Sequence, residues 1–262
     1  MKRYINLYKQ LFTINMSLFM AYRASMISRF IAVSMWTALT IVTMLLITDK
    51  AKVVAGWTQG EMLLITGGLL ICLGLFELHF KRSFQQLPDT IFHGNLDNLL
   101  LKPVDSQFMI SFIQLNIMAL WRITVGFIFL FYVLQRFSIA VTLERMVLFV
   151  LLLFVGLAIY YCLWLLAATT LVWFPRLSNI LDVMNSMNHA SRFPPDMYRE
   201  FSTFIFLLIL PYMFITATPV KVLLQKATLF DILGLLTSAV ILFFVSRKFW
   251  QYSLRYYTSA SG

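Results

Sequence analysis

The sequence predicts an all-α integral membrane protein with six transmembrane helices. Hydrophobic residues make up 60% of the 262-residue chain and charged residues only 12%, whereas a soluble domain carries about 25% charged residues. A helix needs about 20 mainly apolar residues to cross the hydrocarbon layer, and the chain contains six such runs. They are Phe30–Thr48, Met62–Phe80, Phe108–Leu134, Met146–Phe174, Phe201–Thr218 and Leu229–Val245.

The apolar runs have the composition of helices and not of barrel strands. A membrane-spanning β-strand alternates polar and apolar residues over about 10 positions. The fourth run reads MVLFVLLLFVGLA from Met146 to Ala158 and shows no alternation. No repeat or linker separates the runs, so we predict one membrane domain over residues 1–262.

Basic residues predict the orientation, because cytoplasmic loops of membrane proteins carry an excess of Lys and Arg. With the N-terminus inside, fourteen basic residues fall on the inner side and six on the outer side. Both termini are therefore predicted to be cytoplasmic, in a multi-pass protein of the cytoplasmic (inner) membrane. The formal charge of +10 then faces anionic lipid, and we expect no nucleic-acid partner.

Residues 1–23 predict an amphipathic helix that lies in the inner membrane interface. Aromatic and apolar side chains recur at spacings of three and four, and polar side chains fill the opposite face. A signal peptide would place its apolar core directly after the charged start, so we expect no cleavage here. An ordinary cytosolic helix is the alternative. The recurring residues are Tyr4, Tyr8, Leu11, Phe12, Asn15, Phe19 and Tyr22.

Motifs for catalysis and nucleotide binding are missing from the sequence. It contains no G-x-x-x-x-G-K-[ST], H-E-x-x-H or G-x-S-x-G, the motifs of phosphate binding, zinc proteolysis and serine hydrolysis. Glu77, His79 and His93 come closest to a metal site, but residues two apart on a helix point to different faces. Cys72 and Cys162 lie in apolar runs and are expected to pack as small hydrophobes. We expect no catalytic residue, metal or cofactor in this chain.

Arg122 is a charged residue inside the third predicted span. Exposing its guanidinium to lipid costs roughly 2.5–3.5 kcal/mol on insertion scales, so it must face other helices, a partner subunit or water. Glu77, near the inner end of the second span, is the only carboxylate well inside a neighbouring run. The two residues could clamp the bundle as an ion pair, or they could line a substrate path.

Pro211 interrupts the fifth run and is expected to kink that helix, because it removes one backbone hydrogen bond. The freed carbonyl needs a partner inside the protein, and Thr216 and Thr218 are the candidates. The segment that follows, Pro219–Thr228, is short, and its apolar side chains predict an interfacial position on the outer side.

The segment Lys81–Phe108, here called the connector, predicts a docking site for a soluble partner on the inner surface. Pro88 and Asp89 can start a short helix and Gly94 can stop it. An apolar surface of leucines beside two charged residues follows, up to a second proline. A lipid-lying amphipathic turn is the alternative. The residues of this second part are Leu96, Asp97, Leu99, Leu100, Leu101, Lys102 and Pro103.

The connector resembles a motif of one branch of type-2 ATP-binding-cassette (ABC) transporter permeases. GNLDNLLLKPVDSQF, Gly94–Phe108, is similar to the stretch G-x-L-D-x-L-L-L-K-P-V-x-x-Q-F of that branch. SRFPPDMY, Ser191–Tyr198, and LPYMFITATPVKVLL, Leu210–Leu224, are similar to two further patches. Val220 stands where the branch has alanine. In order of spans and loops, the resemblance covers essentially the whole chain.

The resemblance implies the permease subunit of an ATP-driven exporter. Such a subunit pairs with a second identical or related permease and binds two separate ATPase subunits on the cytoplasmic face. Those partners would hold ATP and Mg. Pro219–Thr228 would be a small re-entrant element at the exit. The connector would be the coupling element, and the residues implied to couple to the ATPase are Asp89, Gly94, Leu96, Asp97, Leu100, Lys102 and Pro103.

Two other functions stay open from the residues alone. A membrane-embedded enzyme acting on lipid-linked substrates would need a nucleophile, a base and a stabilising group at one depth. Only Glu77, His79 and His93 are candidates for those roles. A membrane scaffold without transport activity would show the same apolar runs.

Overall fold

The computed structural model describes residues 2–21, 23–50, 53–54, 56–174, 177, 179–190, 192–193 and 203–257. These residues are almost entirely helical, with one two-stranded antiparallel hairpin, β1 Val53–Val54 and β2 Trp57–Thr58. A five-residue π-helix, Glu77–Lys81, continues the third helix. The α-helices are α1 Lys2–Ala21, α2 Arg23–Lys50, α3 Gln59–Phe76, α4 Arg82–Gln85, α5 Leu87–Phe92, α6 Asn95–Leu100, α7 Ser106–Phe112, α8 Ala119–Arg136, α9 Leu143–Thr170, α10 Asn179–Ala190, α11 Thr203–Leu223 and α12 Leu229–Ser253.

Five helical stretches among the described residues are long and apolar enough to cross a membrane. This confirms the prediction of an all-α, multi-pass architecture. Helix α11 covers the predicted fifth span, but its described apolar stretch, Phe214–Leu223, is shorter than a crossing. The sixth crossing and the side of the termini therefore stay predictions. The five stretches are Met26–Lys50, Gln59–Phe92, Ala119–Arg136, Leu143–Thr170 and Leu229–Ser253.

Helix α3 lies at the centre of the bundle, because its glycines allow neighbouring helices to approach closely. Of the residues in the most apolar 18-residue stretch of its span, 78% are buried, against 11% for the α2 span and 17% for the α12 span. A Cβ atom added to Gly74 would lie 2.6 Å from Cγ1 of Ile123 on α8, and one added to Gly126 would lie 2.9 Å from Cγ1 of Ile71. Small residues at such contacts are typical of helix packing in membranes.

The third predicted span, Phe108–Leu134, is wrong as a single helix. Helix α7 ends at Phe112, residues 113–118 are not helical, and α8 begins at Ala119. The side chain of Asn15 on α1 causes part of this break, because it bonds two backbone groups of the broken turn. Its amide nitrogen donates to the carbonyl of Ile113 at 3.2 Å, and its oxygen accepts from the N–H of Leu115 at 3.2 Å.

Two further contacts complete the break. The Ser83 hydroxyl donates to the carbonyl of Gln114 at 3.1 Å and accepts from the N–H of Gln114 at 2.9 Å. The N–H of Asn116 donates to the carbonyl of Leu78 at 3.0 Å. Irregular backbone at membrane depth is tolerated where the protein itself supplies such partners. As a result, Arg122 lies in the first turn of α8 and not in the middle of a long helix.

Helix α11 extends beyond the predicted fifth span into Pro219–Thr228. The helix continues through Pro211 and Pro219 to Leu223. Val220 and Leu223 are fully buried in the core, so this last turn packs against the bundle, and its interfacial position stays a prediction. The hydrogen bond predicted for Thr218 is wrong, because its buried hydroxyl has no partner among the described residues.

The end of the bundle that carries the hairpin is closed by two ion pairs. We call this the hairpin end: β1, β2 and the adjoining ends of α3, α11 and α12. The Lys226 ammonium lies 2.6 Å from the Glu61 carboxylate, and Lys221 lies 2.7 Å from Asp231. Asp231 also accepts from the N–H of Thr228 at 2.9 Å and so caps α12. The opposite end, which carries the connector, is called the connector end.

Candidate functional site: the connector and its contacts

The connector holds α4, α5, α6 and the start of α7. Helices α5 and α6 form where the sequence predicts helical structure. Pro88 lies in the first turn of α5, where a missing backbone N–H costs nothing. Gly94 separates α5 from α6 and adopts a φ of +70°. This left-handed conformation is available to glycine without the steric penalty of a side chain. Gly94 therefore fixes the turn between the two helices.

The leucines of the predicted apolar surface divide between the core and the solvent. Leu96 and Leu99 are buried in the core, and Leu100 is half-buried. Residues three apart share one face of a helix, so this face anchors α6 to the bundle and cannot contact a partner. The exposed residues follow the helix: Leu101 is 82% exposed, and Lys102 and Pro103 are also exposed.

The two connector aspartates that the resemblance assigns to coupling lie in different surroundings. Asp89 is exposed in the first turn of α5, where a carboxylate interacts favourably with the helix dipole. Asp97 is half-buried and lies beside Tyr257, which follows α12. Burial raises the pKa of the Tyr257 hydroxyl, and the Asp97 carboxylate adds to that shift. Asp97 thus contacts the C-terminal part of the chain.

Asp105 joins the end of the connector to α12. Its carboxylate caps α7 by accepting from the N–H of Phe108 at 3.1 Å. It also receives both terminal nitrogens of Arg247, with Nη1 at 3.0 Å from Oδ1 and Nη2 on Oδ2. The Arg247 hydrogen bond is the main cause that holds the pKa of the Asp105 carboxyl below its usual value. Paired bonds of this kind fix geometry as well as charge.

A polar network extends from this pair into the bundle. Nη1 of Arg247 donates to Oε1 of Gln107 at 2.7 Å, and Nε2 of Gln107 donates to the Tyr161 hydroxyl at 2.9 Å. The Ser111 hydroxyl lies 2.9 Å from the same Tyr161 oxygen. These contacts tie α7 to α9 and α12. Sequence reasoning missed the network, since Arg247 counted there only as one of the inner positive charges.

Helix α1 packs on α7 through the aromatic residues that the sequence pattern singled out. The Tyr4 hydroxyl accepts from the N–H of Asp105 at 3.4 Å, and its ring lies 5.1 Å from the ring of Phe108. The Tyr8 ring lies 5.6 Å from that of Phe112. The interfacial position of α1 stays a prediction, and Tyr22 lies outside the described residues.

Glu77 and Arg122 are in contact at the connector end. The Glu77 carboxylate lies 2.7 Å from the Arg122 guanidinium and 2.7 Å from the ammonium of Lys81. Glu77 and Lys81 bound the π-helix, and single π-turns are frequent at functional sites. One carboxylate thus holds two cations on α8 and the π-helix. Whether the cluster clamps the bundle or lines a path is a matter of function, which the contact alone leaves as a prediction.

The remaining sequence candidates, His79 and His93, each contact a backbone carbonyl one turn earlier in the chain. Nδ1 of His79 lies 3.0 Å from the Leu75 carbonyl and Nδ1 of His93 lies 2.9 Å from the Asp89 carbonyl. Among the described residues, no three His, Cys, Asp or Glu side chains are placed to hold a metal ion. Of the stretch Ser191–Tyr198, only residues 192 and 193 are described.

These observations define a multi-pass helical membrane protein with a structured connector at one end. Comparison with known protein families matches residues 34–261 to the family described as ABC-2 family transporter protein. Because the match covers most of the chain, the protein belongs to this family of membrane transport components, which confirms the resemblance to ABC-2 permeases, whereas the branch with the connector motif stays a prediction. Helix α1 lies outside the matched range. Comparison with curated proteins finds no match.

Proposed function

We propose that the chain is the transmembrane permease subunit of an ATP-driven ABC exporter in the cytoplasmic membrane. It would form the substrate path and switch between inward-open and outward-open states when partner ATPases bind and hydrolyse ATP. Membership of the ABC-2 family supports the permease role. The observation that carries the coupling mechanism is the paired contact between Asp105 and Arg247, which joins the connector to α12.

The energy source is assigned to separate subunits. The sequence contains no phosphate-binding loop, so ATP and Mg would bind to the partners and not to this chain. Two ATPase subunits are proposed to dock at the connector end on the cytoplasmic face. Their contact is the exposed stretch Leu101–Pro103 together with Asp89, whereas buried Leu96 and Leu99 hold the connector against the bundle.

Motion of the connector would pass to the bundle through α7. The network of Asp105, Gln107 and Tyr161 joins α7 to α9 and α12, so these elements would move together. The non-helical residues 113–118 separate α7 from α8, and we assign them the role of a hinge. Rigid-body movement of packed elements about such a joint is a common form of switching.

A second identical or related permease is proposed to complete the transporter. The apolar windows of α2 and α12 are buried to only 11% and 17% within one chain. Lipid covers such faces in any membrane protein, but a dimer would bury one of them. In the proposed dimer the Glu77–Arg122 pair holds α3 and α8 together, and the path runs beside it.

Reconstitution tests the proposal directly. The purified chain is expected to hydrolyse no ATP, and a co-expressed ABC ATPase is expected to co-purify with it. Reversing both exposed charges of the proposed contact, Asp89→Lys with Lys102→Glu, is expected to leave ATP hydrolysis running while transport falls. Unchanged transport and unchanged coupling in this double variant would show that the connector is not the docking element.

A further inference from the structure

A groove at the connector end lies between α1, the start of α2 and the non-helical residues 113–118. Its volume is about 430 Å³, within the range of about 300–1,000 Å³ that is typical of small-molecule sites. The groove is not part of the polar network around Asp105. It shares with the transport machinery only the broken turn that we assign as a hinge.

One wall of the groove is basic. Arg29 on α2 and Arg82 on α4 both line it, and Arg29 acts electrostatically on Arg82, so the two charges face a common space. In the part of the chain that the structure describes, no ion pair joins either arginine to a carboxylate. The nearby carboxylate of Glu77 is already occupied by Lys81 and Arg122. Two guanidinium groups that no described carboxylate pairs with favour an anionic ligand.

The other wall is apolar and belongs to α1. Ile14 and Leu18 line the groove and are more than half exposed, and Phe19 and Met26 continue this surface. Met26 lies in the first turn of α2, the helix that carries the first membrane span. The groove therefore combines charge with apolar surface at the level where a span begins. That combination matches a phospholipid, whose phosphate and acyl chains meet at the same depth.

We infer that this groove binds an anionic phospholipid, with the phosphate between Arg29 and Arg82 and an acyl chain along Ile14 and Leu18. Arginine holds phosphate oxygens through paired, charge-assisted hydrogen bonds. A soluble anion would use the basic wall alone and leave the apolar wall in water. The bound lipid would join α1 to the broken turn, since Asn15 bonds that turn directly.

The test is a titration of the delipidated, purified chain with phosphatidylglycerol and, separately, with phosphatidylcholine, followed by native mass spectrometry. The variant Arg29→Gln with Arg82→Gln is compared with Arg3→Gln with Lys9→Gln, which removes the same charge from exposed positions of α1. We expect the first variant to lose about tenfold in phosphatidylglycerol affinity, the size of a lost charge-assisted contact. The control variant should bind as the unaltered chain does.

Two further arms keep the test decisive. Leu18→Gln changes an exposed residue, so the fold is retained. This variant should weaken the binding of phosphatidylglycerol without affecting the binding of a soluble anion. Glycerophosphoglycerol, the headgroup without acyl chains, should not compete at concentrations that saturate the lipid. Equal losses in both charge variants, equal binding of phosphatidylcholine, or full competition by the headgroup alone would each overturn the inference.

Discussion

The charged pairs at the two ends of the bundle differ in how far they are exposed to solvent. At the hairpin end, Asp231 and Glu61 are each about 9% exposed and hold Lys221 and Lys226. At the connector end, Asp105 and Arg247 are about one third exposed. The exposed Leu101 lies shortly before Asp105 in the sequence. Both carboxylates of the hairpin end are therefore buried, whereas the connector end combines the buried Glu77 carboxylate with the Asp105–Arg247 pair, which stays within reach of solvent.

This difference indicates which end can receive a partner. Asp231 both pairs with Lys221 and caps α12, so its contacts are local and stabilise the fold. Asp105 and Arg247 are 142 residues apart in sequence, so their contact joins elements that are distant along the chain. We therefore expect variants at the hairpin end to change stability most and variants at the connector end to change coupling most.

The largest loss of stability is expected for Asp231→Ala. This change removes the partner of Lys221, which is only 18% exposed, and the carboxylate that accepts from the N–H of Thr228 in the capping box of α12. Breaking a buried pair in this way costs about 3–5 kcal/mol. Thermal unfolding of the purified chain in detergent measures the effect, and Asp49→Ala, an exposed aspartate, is the control. An equal loss in both variants would remove the distinction between the two ends.

A smaller loss of stability and a larger loss of coupling are expected for Asp105→Asn. Asparagine still caps a helix, so the change isolates the charged contact with Arg247, worth about 1.5–3 kcal/mol. Transport per ATP hydrolysed by the reconstituted complex should fall, while Asp182→Asn, an exposed control, should leave it unchanged. If Asp105→Asn transported with full coupling, the network would be structural only.

The same contact predicts a pH dependence of stability. The pKa of Asp105 is lowered in the folded chain by Arg247, whereas an unperturbed aspartate titrates near about 3.9. The stabilisation by the Asp105–Arg247 contact is therefore fully present above about pH 4. It is lost as the pH falls through the lowered pKa of Asp105 in the folded chain. The difference in unfolding temperature between the unaltered chain and Asp105→Asn should shrink below about pH 4. A difference that stays constant there would exclude the charged contact as its source.

The smallest effect on stability is expected for Leu101→Asp. Leu101 and Leu143 are both 82% exposed, at opposite ends of the bundle, so Leu143→Asp is a matched control. Each change should alter the free energy of unfolding by less than about 0.5 kcal/mol. Only Leu101→Asp should weaken the co-purification of the ATPase. Equal weakening by both would place the docking surface elsewhere.

The apolar runs and the short connector helices could be predicted from the sequence because local signals determine them. Run length, Pro88 and Gly94 act on neighbouring residues. The broken turn at 113–118 could not be predicted, since its partners Asn15 and Ser83 lie 98 and 31 residues away and its own sequence is mainly apolar. The contact of Asp105 with Arg247 could not be predicted either, because its two residues are also distant in sequence. The burial of Leu96 and Leu99 likewise depends on the bundle and not on α6 alone.

Cysteine labelling at the connector is the most direct measurement of the central proposal that partner ATPases act on this segment. Cys72 and Cys162 are buried, so a single Leu101→Cys substitution supplies an exposed thiol. In inside-out vesicles we predict that a membrane-impermeant maleimide labels this thiol and that a bound ATPase protects it. Labelling from the outer face, or labelling that the ATPase does not change, would contradict the account.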